Sequence, residues 1–188
     1  MTYFIAAPFG NYLKFENATS VTGSWTVEPR PGLFWQIVKT LRYVRSEAGF
    51  SWRNKIGLRN AGIHEGLKRT GNFEVLSIAA IHKHDWINFD SIVPEHQSIE
   101  VNISCPNLDK DEDASSFAYF DEFPKTKRKW CICKIPPTSS NDLVDKIVDS
   151  GYNQIHASNT LQTEKGGLSG KILLPHTLGI ISYIKKKH

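Results

Sequence analysis

Short apolar runs alternate with longer segments of helical period along most of the chain, and this alternation constrains the fold more than any other feature. A βα repetition of this kind is satisfied by a parallel sheet with helices packed over it. Phe4 to Ala7, Ser20 to Trp25, Lys55 to Leu58, Val75 to Ile81, Ile99 to Ser104, Trp130 to Ile135 and Gln154 to Ser158 read as strands. One helix is expected from about Leu33 to Arg45, with Leu33, Ile37, Leu41 and Val44 on one stripe, and another over Ile63 to Thr70. Two more follow the Ser140-Asn141-Asp142 cap signal, with Leu143, Ile147 and Val148 as stripe, and cover Leu178 to Lys187. With 188 residues, the chain is expected to form a single domain over 1–188.

The formal charge of +4 is modest, and its two cationic runs, Lys125 to Lys129 and Lys185 to Lys187, are not interleaved with aromatics. That argues for solvated charge and against a nucleic-acid surface. Three cysteines without framework spacing argue against a disulfide scaffold and fit a reducing, cytoplasmic setting. Met1 to Ala7 lacks a basic leader and meets Pro8 early, and no apolar stretch approaches the ~20 residues of a membrane span. A soluble protein with no membrane partner is expected.

Chemistry concentrates in the run Glu100-Val101-Asn102-Ile103-Ser104-Cys105-Pro106-Asn107. As a strand, it places Glu100, Asn102 and Ser104 on one face and Val101 and Ile103 on the other, before a turn broken by Pro106. A barrel strand delivers reactive groups to a cleft in this way, although a strand-end cysteine can equally be a buried, inert thiol. Further along, Trp130, Ile132 and Lys134 share a face opposite Cys131, Cys133 and Ile135. The two cysteines then face the helix layer as small apolar fillers, their spacing is not that of a zinc knuckle, and the histidines are dispersed, so no metal is expected. The polar stretch from Leu108 to Lys129 carries Phe117, Tyr119, Phe120 and Phe123, more aromatics than a linker would, and is expected to fold as a lid over the cysteine turn.

Four segments resemble, in the same order, those of the dihydroorotate dehydrogenases, flavin enzymes built on a TIM barrel. They are Asn54 to Asn60, Asn102 to Asn107, Lys134-Ile135-Pro136-Pro137, and Ser158-Asn159-Thr160 followed by Gly166-Gly167-Leu168-Ser169-Gly170; the resemblance runs from Pro8 to about Pro175. It implies an oxidoreductase of pyrimidine biosynthesis with FMN as cofactor and dihydroorotate, or a similar pyrimidine, as its small-molecule substrate. It further implies Cys105 as catalytic base, taking a proton from substrate C5 while hydride leaves C6 for the flavin. Asn54, Gly57, Leu58, Asn102, Asn107, Asn159 and Thr160 are implied at the substrate, and Ala6, Ala7, Asn102, Lys134, Gly167 and Ser169 at the cofactor. An unperturbed thiol ionises near pKa about 8.5, so activity through Cys105 is expected to rise above neutral pH.

Two departures accompany the match. Gly23 stands where soluble members carry a lysine near the substrate, which leaves another pyrimidine open as substrate. The sequence also lacks the glycine-rich segments that follow the last helix in the family, so an incomplete TIM (β/α)8 barrel with the last two βα units absent is expected. A longer enzyme, a split enzyme completed by another chain, and a non-catalytic half-barrel that serves as an interaction protein are the alternatives. An open barrel also predicts tight association, as a homodimer or with a completing chain.

Overall fold

The computed structural model describes residues 2–103, 123–125 and 128–188. Six strands form one parallel sheet, each paired with the next of the six in chain order. They are β1 (Tyr3–Ile5), β2 (Ala18–Trp25), β5 (Val75–Ile78), β6 (Ile99–Asn102), β7 (Cys131–Ile135) and β8 (Gln154–Ala157). Between them run α2 (Ile63–Arg69), α3 (Asp85–Ile92) and α4 (Asn141–Asp149), and α5 (Leu174–Lys187) follows the last strand. Sequential parallel pairing with helical crossovers is the architecture of an incomplete TIM barrel.

Alternation along the strands divides the interior in two. Ile99, Val101, Cys131, Cys133 and Ile135 pack outward against Trp86, Phe89, Val144 and Ile147 of α3 and α4. Inward, Val21, Val75 and Ile132 form a second cluster with Phe4 and Trp130. This inner cluster fills the amino-terminal half of the sheet. Beyond it the same face becomes polar, with Ser77, Glu100, Asn102 and Lys134 all buried. An apolar floor therefore supports a polar layer at the carboxyl ends of the strands, where a parallel barrel keeps its site.

Two excursions leave that end and pair with each other in a second sheet, termed the roof. After β2 the chain runs through α1 (Leu33–Thr40), β3 (Arg42–Ser46) and β4 (Gly49–Asn54); after β8 it forms β9 (Leu161–Thr163) and β10 (Gly166–Gly170). Together they make an antiparallel sheet of order β3-β4-β10-β9. The single helix expected up to Arg45 thus stops at Thr40. Arg42 donates to the carbonyl oxygens of Val38, Lys39 and Leu41, closing the helix end, and Tyr43 then pairs with Trp52 in a hairpin. Leu41 and Val44 fit a helical stripe only by coincidence of spacing. Lys55 to Leu58, expected as a strand, is a loop after β4, and α3, β9 and β10 are additional elements.

Candidate active site

Side chains from four strands and the turn after β8 meet on the polar layer in one hydrogen-bonded chain. Asn159 donates to the Asn102 side-chain oxygen at 3.3 Å, and Asn102 donates to Ser24 Oγ at 2.9 Å. Ser24 and Ser77 hydroxyls share a 2.7 Å bond, and Ser77 Oγ donates to Glu100 Oε1 at 2.7 Å. Glu100 Oε2 meets His156 Nδ1 at 2.6 Å. The strand register produces this convergence, since Asn102 lies beside Lys134 and Lys134 beside His156. Polar residues at these depths are tolerated because each hydrogen bond replaces lost hydration.

Glu100 is fully buried. Burial works to raise its carboxyl, yet the Lys134 charge, the His156 hydrogen bond and charge, and the Ser77 hydroxyl outweigh it and hold the group down at about 2. A fixed anion therefore sits under the polar layer. Lys134 is 7% exposed and inward-facing, and among the described residues no hydrogen bond or ion pair within 4 Å engages its ammonium. Its charge acts on Glu100. The ammonium itself is not sealed from solvent, so a bound polar group can reach it on the polar layer.

The roof brings further candidates into place. Asn54 and Gly167 are register partners across β4 and β10, and Ser169 lies opposite Trp52 and donates to its carbonyl at 3.4 Å. Asn54 Oδ1 accepts from Ile56 N at 3.2 Å, opening the loop that carries Gly57 and Leu58. Leu58 adopts a left-handed φ of 53°, unusual for a branched side chain and affordable where surrounding structure enforces it. Asn60 supplies that enforcement: it donates to Leu58 O at 2.7 Å and accepts from Gly62 N at 2.8 Å, while its backbone bridges Arg30. Thr160 N donates to the Asn159 side chain at 2.8 Å, fixing the turn after β8. Ala6 and Ala7 follow β1, at the sheet edge opposite β8. Cys105 and Asn107 lie outside the described residues, as does nearly all of the expected lid.

Gly23 has φ +103°, and a Cβ there would stand 2.5 Å from Ser77 O and 2.7 Å from the Trp25 ring. The backbone therefore demands glycine, and no cation can occupy this position without moving β2 or β5. Cys131 and Cys133 face the helices as expected; burial pushes the Cys131 thiol up to about 12 and Cys133 well above its ordinary value. No group of three or more metal-ligating side chains occurs among the described residues, and no helix there is long and apolar enough to cross a membrane. Two participants escape a reading by motif, Ser77 and His156. A lone serine within an apolar strand was the available signal for the first; the second needs the register of three strands.

No family model matches the chain. It is 29% identical over 210 aligned positions to the dihydroorotate dehydrogenase B (NAD(+)) catalytic subunits of Thermotoga petrophila and Thermotoga maritima, covering 96% of this chain and 75% of each relative. The corresponding subunit of Endomicrobium trichonymphae is 26% identical over 185 positions, covering 82% of this chain and 58% of the relative.

Proposed function

We propose that this chain, a relative of the dihydroorotate dehydrogenases, binds FMN on its polar layer and oxidises dihydroorotate or a closely related pyrimidine. The observation that carries the reading is the inward Lys134, whose side chain is largely buried beside Glu100 while its ammonium stays open to solvent and donates to no described residue. It suits an electron-rich heterocycle edge, such as the pyrimidine portion of a flavin. Bound flavin would supply hydride acceptance, which no amino-acid side chain offers.

The chain's own residues divide the remaining work. Lys134 would stabilise negative charge on a ring held beside it. Asn102 and Asn159, already bonded to each other, and Asn54 at the end of β4 offer donors and acceptors that suit a planar carboxylated pyrimidine. Gly57, Leu58, Asn107 and Thr160 complete that proposed substrate set, with Ala6, Ala7, Gly167 and Ser169 toward the cofactor. Cys105 is assigned the base that removes the substrate proton, since Cys131 and Cys133 are buried toward the helices with thiols held protonated. The whole is proposed to act as one domain, as a homodimer or with a completing chain, in the cytoplasm.

The absence of side-chain space at Gly23 favours a second substrate reading, a pyrimidine whose recognition needs no cation there. Titration of the purified protein with FMN, followed by flavin fluorescence, tests the main reading. Wild type should bind, and Lys134→Ala should bind about 10- to 100-fold more weakly, the scale of a lost charged hydrogen bond. Equal affinities, or no binding by wild type, would overturn it. Bleaching of the bound flavin by dihydroorotate, set against other dihydropyrimidines, separates the two substrates.

A further inference from the structure

His156 has no part in the function proposed above, yet it is built into the same layer. Its Nδ1 lies 2.6 Å from Glu100 Oε2, and Glu100 is fully buried and held ionised. A carboxylate can only accept, so Nδ1 carries the hydrogen, and in the neutral ring the lone pair is on Nε2. The side chain is 26% exposed, so water reaches it, and it stands beside Lys134 in the strand register. Among the described residues the charged groups facing it are Glu100 from β6 and Lys134 from β7. From α5, behind β8, comes the neutral Thr177 hydroxyl, 3.4 Å from that of Ser158.

Lys134 and Glu100 cancel each other while His156 is neutral. A hydride delivered to a ring bound against Lys134 adds one negative charge to this balanced pair. We propose that His156, oriented by Glu100, takes up a proton at Nε2 when that charge arrives and returns it when the charge leaves. The balance is simple: hydride carries two electrons and one hydrogen from substrate to ring, and the proton that the substrate loses to the base is released to solvent, from which Nε2 takes up one proton. Imidazole is suited to this because it changes charge between about pH 5 and 8. Glu100 is the positioning residue, fixing the tautomer that leaves Nε2 open.

The inference rests on the flavin reading, and one set of measurements separates the two. The midpoint potential of the FMN-loaded protein should fall more steeply with pH in wild type than in His156→Asn. The difference is one proton per two electrons, about 30 mV per pH unit. Parallel slopes would overturn the role of His156. Should the variant fail to fold, nitrogen-15 histidine spectra of wild type decide, with His156 an imidazolium in the reduced protein and neutral in the oxidised one at slightly alkaline pH. One charge state in both forms would also overturn the role. A protein that takes up no FMN sinks the flavin reading and this role with it, whereas one that binds FMN without the pH signature sinks the role alone.

Discussion

Lys134 and His156 stand side by side on β7 and β8, and the same buried carboxylate, Glu100, acts on both. That carboxylate ties stability to pH. Its folded value of about 2 lies below the ordinary 4.5, so its contribution is fully present above about pH 4.5 and is lost as pH falls toward 2. The displacement corresponds to about 3 kcal/mol. Glu100→Gln should remove most of this dependence and flatten the urea midpoint between pH 5 and 3. A variant that tracks wild type across that window would contradict the assignment.

Truncating the same residue should be worse than neutralising it. Glu100→Ala leaves Lys134 without its counter-charge and Ser77 and His156 without their acceptor. A loss of about 3–5 kcal/mol at neutral pH is expected. Urea denaturation at pH 7 measures it, and a loss under 1 kcal/mol would mean that water enters the layer freely.

Thiol labelling separates the cysteines. Cys131 and Cys133 are buried toward the helix layer with thiols pushed up. Native protein should therefore be modified by an aromatic disulfide reagent at no more than one site, and all three cysteines should react in denaturant. Peptide mapping that finds native-state label on Cys131 or Cys133 would refute the burial argument.

Gly23→Ala should destabilise by about 1–3 kcal/mol or more, because the new methyl meets Ser77 O and the Trp25 ring in a left-handed backbone. A gain in stability on thermal or chemical denaturation would show that β2 yields easily there. By contrast, Ser140→Ala removes the hydroxyl that accepts from Leu143 N at the start of α4 and should cost only about 1 kcal/mol.

The parallel sheet was legible because each of its strands is a short apolar run with period-two partition, and β6 and β7 kept that partition in three dimensions. Lys134 was legible for the same reason. The roof was not: the alternating Tyr43, Arg45, Phe50 and Trp52 that mark its hairpin overlap a plausible helical stripe. The glycines of β10 carry little strand propensity, and their pairing with β4 comes from a distant partner. α3 escaped because its apolar residues, Trp86, Ile87, Phe89 and Ile92, follow no clean stripe, and Ile87 is exposed. His156 acquires its meaning only from Glu100, 56 residues away in the chain.

The pairing of β4 with β10 joins segments as far apart as Trp52 and Ser169, 117 residues along the chain. Contacts of such separation must meet their loop-closure cost before they stabilise anything, whereas β5, β6 and the helix between them are local. The small sheet that carries Asn54 and Gly167 should therefore assemble after the parallel sheet. Its amides are expected to exchange with solvent through an opening that leaves β5 to β7 protected. Opening of this one antiparallel seam would then proceed independently of global unfolding.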